Sequence, residues 1–414
     1  MAQANTERVL ADLYELRQIG EYKSGVHRPT LSSEDMASRE WLCAKLRDIG
    51  HEAQIDGIAN VFGRAPGDGR VALAGSHIES QNHAGWLDGA LGVVYALEAA
   101  RAVAECPNLS TASAGVDVIA FADEEGHFGG FFGSSSAVGE LDEATIDAAQ
   151  DRSGRGALRD LLAQAGLAGR SRLQIDPARY AGFYEAHIEQ GATLEGEGNR
   201  IGVVTSIVAI WQYRIVFKGE QNHAGTTSMT RRRDAGRTMM ELWRRIEDSF
   251  PSVAGEHSVW TVGRTVLEPG DPSIIPGRAE MLFQLRDADP IVLDAMQAKL
   301  REIVAEIDSE GQCSAHLEII SQTRPAVMDQ TVRGTLVEAA TAIAPDHWRM
   351  MPSGAGHDAQ LIQPHVPSAM LFVPSIGGIS HHWSENTLDE DIKLGAAIYV
   401  DAISRLLSRS TKTC

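Results

Sequence analysis

Apolar and polar positions recur along this chain with two different periods, and the switches between them lay out its plan. VALAGS (71–76) and GVDVIAFAD (115–123) are nearly unbroken apolar runs, the pattern of strands covered on both faces. Between them, ALGVVYALEAARAVAE (90–105) sets Ala90, Val93, Val94 and Leu97 at helical spacing. Strand, helix and strand in this order predict an α/β domain whose central sheet is largely parallel and flanked by helices. Ligand groups on such sheets gather beyond the carboxyl ends of the strands. His77 follows the first of these strands, and Asp123, Glu124 and Glu125 close the second. MAQANTERVLADLYELRQIG predicts an N-terminal helix with a polar face, and GALRDLLAQAGLAG (156–169) a surface helix.

The middle of the chain changes period. WQYRIVFKGE (211–220) alternates in part, as a half-exposed strand does, and TRRRDAGRTMMELWRRIEDSF (230–250) is a basic amphipathic helix. Strands follow at 258–270 and 278–289, then a helix at 290–308 and a strand at 315–327. The order β-α-β-β-α-β is the ferredoxin-like arrangement. It predicts an inserted α+β domain over residues 210–325, with 1–209 and 326–414 forming the first domain. MPSGAGHDAQ and SAMLFVPSIGGISHH again read as strand-end loops, which returns the chain to the first sheet.

Composition then excludes several classes. A chain of 414 residues is long enough for two domains. No apolar run approaches the ~18 residues that a membrane span needs. The N-terminus lacks the basic start and apolar stretch of a secretion signal. A formal net charge of −19 argues against nucleic acid as a partner. The cysteines, Cys43, Cys106, Cys313 and Cys414, are scattered and form no CxxC pair. That suits a reducing cytoplasm and argues against thiolate-held metal.

Chemistry concentrates at the predicted strand ends. GSHIESQNHAGWLDG (75–89) carries His77 and Asp88, DEEG carries Glu124 and Glu125, HIEQG carries His187, and SHH carries His381. Taken singly, each fits a polar loop, and HIEQG fits one turn of an edge strand. Together they supply imidazole and carboxylate without thiolate, a donor set for two divalent ions among zinc, manganese, cobalt and nickel. Asp88, in the tight LDG turn, is the candidate for a carboxylate shared by both. Glu124 and Glu125 divide into one ligand and one proton acceptor, provided the turn after the strand is irregular, because neighbours in a regular strand face opposite ways.

In order, GSHIES…GWLDGALG, ADEEG, EAHIEQG, NHAGTTSMTRRRDA, SGAGHDA and FVPSIGGISHHWSE resemble the M20 metallopeptidase-like amidohydrolases. The resemblance is to the hydantoinase/carbamoylase branch, which includes N-carbamoyl-L-amino acid hydrolases, allantoate amidohydrolases and ureidoglycolate-type enzymes. It spans nearly the whole chain and implies a catalytic domain with an inserted dimerisation (lid) domain. It implies one metal on His77, Asp88 and His187 and a second on Asp88, Glu125 and His381, with Glu124 as general base. It places His223 as the histidine delivered across a homodimer interface, and Arg286 as the anchor of a substrate carboxylate. Gln190, Gly354 and Gly356 are implied on the substrate side, and His83 becomes a loop residue near the entrance. The chain departs from the pattern in three places, and in one of them EEGHFGG is shortened and lacks the family's usual arginine. Glu79 stands where the family carries the aspartate that orients the metal-bound histidine, and Ser273 stands where carbamoylases carry a substrate-binding asparagine. The implied reaction is hydrolysis of a linear C–N bond, ureido or amide, in a small anionic substrate. The alternatives are hydrolytic deamination of an activated aromatic amine acid and, in a different class, an inactive metal-binding dimer.

Overall fold

A computed structural model describes residues 1–67, 69, 71–110 and 114–410. Two compact units separate, Ser206–Ala326 and the remainder, made of Met1–Thr205 with the chain from Val327 onward.

In the larger unit, four strands run parallel side by side: Ser368–Val373, Tyr180–Ile188, Val71–His77 and Val116–Phe121. All four are buried along their whole length. The flanks differ from the expectation of a largely parallel sheet. Ile201–Ile207 runs antiparallel to Ser368–Val373, and the hairpin of Glu52–Ile55 with Val61–Arg64 joins Val116–Phe121 antiparallel. The sheet is therefore mixed. The hairpin has a local cause. Asp56 accepts hydrogen bonds from the amides of Ile58 (2.9 Å) and Asn60 (2.8 Å), closing a short turn that only antiparallel strands can share.

HIEQG does not lie on an edge strand. Tyr180–Ile188 sits between Ser368–Val373 and Val71–His77, in the middle of the sheet. The helix Ala90–Glu105 begins directly behind Asp88, and all its residues through Val103 are buried. The predicted surface helix is the shorter Leu158–Gln164, with Leu158, Leu161 and Leu162 packed inward. Among the described residues, no helix is long and apolar enough to cross a membrane. Cys43, Cys106 and Cys313 are free thiols, whereas Cys414 lies outside the described residues.

The smaller unit has a four-stranded antiparallel sheet, ordered Val259–Glu268, Arg278–Asp287, Ala209–Lys218, Ser314–Gln322. Alternate residues of Arg278–Asp287 are buried, as one covered face requires. Met281 and Phe283 pack with Leu242 and Ile246 of the helix Ala235–Ser249 and with Leu300 of Pro290–Ser309. The first of these helices starts later than the basic run suggests, because the Asp234 side chain caps it by accepting the Arg237 amide at 3.0 Å.

A buried guanidinium ties the larger unit together beneath the strand ends. Arg39, on the helix Ser33–Asp48, has no exposed side-chain surface. It donates to Asp35 Oδ1 (2.9 Å), to Glu79 Oε2 (2.6 Å) and to the carbonyls of Ala59 (2.8 Å) and Phe121 (3.1 Å). Removing it leaves two buried carboxylates without their cation. Arg39→Met is expected to cost about 3–5 kcal/mol of unfolding free energy, read from urea denaturation. A loss below about 1 kcal/mol would show that the network rearranges to satisfy both acids.

Candidate metal centre

Because the four central strands are parallel, their carboxyl ends lie on one side of the sheet, and the loops beyond them converge. His77 is the last residue of one strand and His187 the next-to-last of its neighbour. Glu124 and Glu125 follow the third strand, and His381 comes from the loop beyond the fourth.

Asp88 is buried at the centre and presents a different oxygen to each side. Its Oδ1 lies 3.0 Å from His187 Nε2 and 3.5 Å from His77 Nε2, and its Oδ2 lies 3.3 Å from His381 Nε2. Glu125 Oε2 is 3.6 Å from His381 Nε2. Two groups that could hold a metal ion result, His77–Asp88–His187 and Asp88–Glu125–His381, each with one donor atom per residue within 4.8 Å of the others. Glu124 completes the cluster, with Oε2 3.6 Å from His77 Nε2.

The adjacent glutamates diverge because the strand ends in an irregular turn. Asp123 adopts a left-handed conformation (φ +61°), and its carboxylate accepts the amides of Phe128 (3.0 Å), Gly129 (3.0 Å) and Gly130 (3.1 Å). The loop is thus wound around Asp123, which frees Glu124 and Glu125 from strand alternation. Gln81 then fixes Glu125, its amide donating to Oε1 at 2.9 Å and its side chain to the Glu125 carbonyl at 2.7 Å.

The donors fit divalent cations. All are imidazole nitrogens or carboxylate oxygens, and among the described residues His77 Nε2 is buried without a hydrogen-bond partner, a nitrogen left with its bonding capacity unused. The other nitrogens of His77 and His187 face the carbonyls of Glu79 (3.2 Å) and Ile188 (2.9 Å), contacts that fix the ring tautomers with Nε2 as ligand. The electrostatics agree. Burial, with Asp88 close by, pushes Glu125 up to about 7 and Glu385 up to about 8. Burial also raises Glu124 well above the usual carboxylate range, with Glu125, Asp358 and Asp88 adding to it. The hydrogen bond to Asp88 lifts His381 to about 9. Burial opposes charge on His77, but Glu124 and Asp88 outweigh it and hold the ring well above its ordinary value. Protons thus gather where excess negative charge calls for cations.

A family model, peptidase family M20/M25/M40, matches residues 71–405. The chain belongs to that family. It is 31% identical to the N-carbamoyl-L-amino-acid amidohydrolase of Paenarthrobacter aurescens, over 98% of this chain and 99% of that one. It is also 31% identical to the allantoate amidohydrolase of Bacillus subtilis, over 89% and 91%. The crystal structure of an amidase of the hydantoinase/carbamoylase family from Burkholderia phymatum superposes with a TM-score of 0.91 at 42% identity, covering 99% of both chains. The resemblance drawn from the motifs is thereby shown as family membership, within the hydantoinase/carbamoylase branch.

Residues implied by the resemblance fall into three groups. His77, Asp88, Glu124, Glu125, His187 and His381 come together as described. Gln190 joins them, its Nε2 3.0 Å from Asp88 Oδ2 and 3.3 Å from His381 Nε2. Gly354 and Gly356 lie in the loop after the strand Trp348–Ser353, where an added Cβ at Gly356 would meet the Phe131 ring at 2.9 Å. His223, Ser273 and Arg286 belong to the smaller unit. There His223 pairs with Ile274, and the Ala224 amide donates to the Ser273 carbonyl at 2.9 Å. The Ser273 amide donates to Asp271 at 2.8 Å, and Arg286 Nε donates to Gln284 at 2.7 Å.

Glu79 reaches His77 through its backbone. Its side chain does not hold the His77 ring; only its carbonyl does. The carboxylate turns away, accepting the Glu124 amide at 2.8 Å through Oε1 and the Arg39 guanidinium through Oε2. The added methylene relative to aspartate makes that reach. Burial pushes this carboxyl up, but Arg39 and His77 overcome it and hold Glu79 below the usual range.

Two supporting residues escaped the sequence reading. Arg39 is one. Glu385 is the other, accepting the amides of Leu87 (3.4 Å) and Asp88 (3.2 Å) and the Ser380 hydroxyl (3.1 Å). The only hint of Glu385 was its place at the end of the SHHWSE block.

Metal uptake should depend on pH with a definite sign. Glu125 and His381 must each lose a proton to become ligands, and their raised values put those losses near about 7 and about 9. Affinity of the metal-depleted protein for Mn²⁺ or Zn²⁺ is expected to rise with pH across that interval and level off above it. Calorimetry in two buffers of different ionisation enthalpy should show protons released at neutral pH and few at high pH. Uptake without proton release at neutral pH would contradict the protonation of these ligands.

Proposed function

We propose that this protein is a metal-dependent hydrolase of a linear C–N bond, ureido or amide, in a small carboxylate-bearing substrate. The observation that carries the reading is Asp88, whose two oxygens face separate ligand sets. Named activities of the similar proteins, on N-carbamoyl-L-amino acids and allantoate, support the bond type. Two divalent ions of the zinc, manganese, cobalt or nickel kind, held by His77, Asp88 and His187 and by Asp88, Glu125 and His381, would supply Lewis acidity and a more acidic water.

The chain's own residues do the rest. Glu124 takes the proton of the attacking water at its carboxylate and returns it to the departing nitrogen. For a ureido substrate, water adds to the carbonyl carbon and the bond to the substituted nitrogen breaks. The amine leaves with that proton, and the carbamic acid left behind splits to ammonia and carbon dioxide. His223 stabilises the oxyanion. Its Nδ1 accepts the Gly225 (3.0 Å) and Thr226 (3.3 Å) amides, so the neutral ring carries its proton on Nε2 as an outward donor. Following the family resemblance, the smaller unit is the dimerisation domain, and His223 acts in the partner subunit's site. Arg286 holds the substrate carboxylate with its planar fork.

Chelation should abolish ammonia release from ureido acids, and added divalent metal should restore it. Glu124→Gln should keep both metals and lower kcat by about 10²–10⁴-fold. Full metal content with a near wild-type rate would remove Glu124 from the role of base. Mixing His223→Ala subunits with Glu124→Gln subunits should recover part of the activity, since some heterodimers then hold one intact site. No recovery after verified exchange would contradict the trans role. Arg286→Lys keeps the charge and loses the fork, so KM should rise while kcat falls less than kcat/KM. Unchanged constants in Arg286→Ala would show that the carboxylate binds elsewhere.

A further inference from the structure

A second guanidinium stands beside the metal centre within the larger unit itself. Gly126 directly follows the ligand Glu125 and adopts φ +71°. A Cβ added there would lie 3.2 Å from Arg152 Nη1 and 3.4 Å from Arg152 Nη2. The Arg152 head therefore rests on the bare backbone one residue from a ligand. Its own backbone is anchored. The Arg152 amide donates to the His127 carbonyl at 2.8 Å, and Asn82, in the loop that also carries Gln81, donates to Ser153 Oγ at 3.2 Å. Asp151 accepts the Ser153 amide at 2.8 Å and Arg155 Nε at 3.0 Å, which stiffens the turn.

The guanidinium itself is exposed, and among the described residues it has no hydrogen-bond or ion-pair partner. The acids nearest in the chain are turned elsewhere. Asp151 is taken by Arg155, Glu125 by Gln81 and His381, and Glu124 faces His77. An unpaired arginine on a rigid turn, in a chain of net charge −19, is a preformed receptor for an anion.

We propose that Arg152 is a specificity-determining residue that binds a second acidic group of the substrate. The substrate class is then an N-carbamoyl or N-acyl derivative of an acidic amino acid, a dicarboxylate. The inference rests on the hydrolase reading above.

The test compares isosteric pairs on the metal-loaded full chain: N-carbamoyl-aspartate against N-carbamoyl-asparagine, and the glutamate against the glutamine derivative. The wild type should favour the acidic member by about tenfold or more in kcat/KM, the effect of one charge-assisted contact. Arg152→Gln should erase that preference through KM and leave both constants on the neutral member within about twofold. Arg152→Lys should restore part of it. A ratio unchanged in Arg152→Gln, or a wild type that favours the neutral member, overturns the proposal. Calorimetry with succinate and butyrate, on wild type and Arg152→Gln, separates the two readings. Succinate should bind the wild type more tightly than butyrate, and Arg152→Gln should lose the difference. If no ureido acid or amide, these four included, is hydrolysed by the metal-loaded chain but this result holds, the hydrolase reading falls and the anion site stands. If hydrolysis proceeds but neither measurement depends on Arg152, the anion site falls and the hydrolase reading stands.

Discussion

A buried carboxylate that must serve two sides at once sets the terms for the rest of the larger unit. Asp88 can present Oδ1 to His77 and His187 and Oδ2 to His381 only if its backbone is held still. Glu385 holds it from one side through the Leu87 and Asp88 amides. On the other side, the chain must turn sharply into the helix Ala90–Glu105. Gly89 makes that turn at φ +65°, and a Cβ there would fall 2.3 Å from the His77 ring. Only glycine satisfies both demands. The helix that follows is buried through Val103, so the position of Asp88 is backed by the core.

The parallel strands and the irregular loops contribute differently. Strands bring His77 and His187 to one edge with high precision, because their register leaves little choice. Loops must then re-aim side chains, and they do so with non-glycine residues in left-handed conformations. Asp123, Gln190 and His381 have φ of +61°, +58° and +55°. Such backbone persists where its surroundings over-determine it. Three amides on Asp123 show how that is done, and the Gln190 amide donating to Ser375 Oγ at 3.1 Å is a second instance.

Much of this could be read from the chain, for identifiable reasons. The helix over 90–105 and the strand ends at His77 and Glu124 are local signals, in which apolar periodicity stops at polar groups. The central place of HIEQG was hidden because its strand, YAGFYEAHI, carries Glu185 in its middle. That acid is satisfied from afar, by Ser76 Oγ at 2.7 Å and the Ala359 amide at 2.8 Å. The antiparallel hairpin at one flank was hidden because its strands have only four residues each. The predicted strand over 315–327 stops at Gln322, just before TRP, where proline cannot donate to a ladder. Arg39 and Glu385 were beyond reach because their partners lie 40 and nearly 300 positions away. One-dimensional patterns report which face a residue turns to the core, not which distant charge it will meet.

Acidic groups are concentrated at the strand ends. Glu79, Asp88, Glu124, Glu125, Asp358 and Glu385 crowd one volume at the strand ends. Alone, they would repel any carboxylate. Arg39 neutralises part of this charge from below, through Glu79. Cations in the two ligand groups would neutralise the centre and reverse its sign locally. A carboxylate must be paired to leave water, so a guanidinium without an internal acid is a place where an anion can be received. A paired arginine such as Arg155 can only stiffen a loop, whereas Arg152, without a side-chain partner among the described residues, has donors left to give. Selectivity for an anion would then lie in where the fold withholds an acid from an arginine, while the groups around Asp88 would hold the cations.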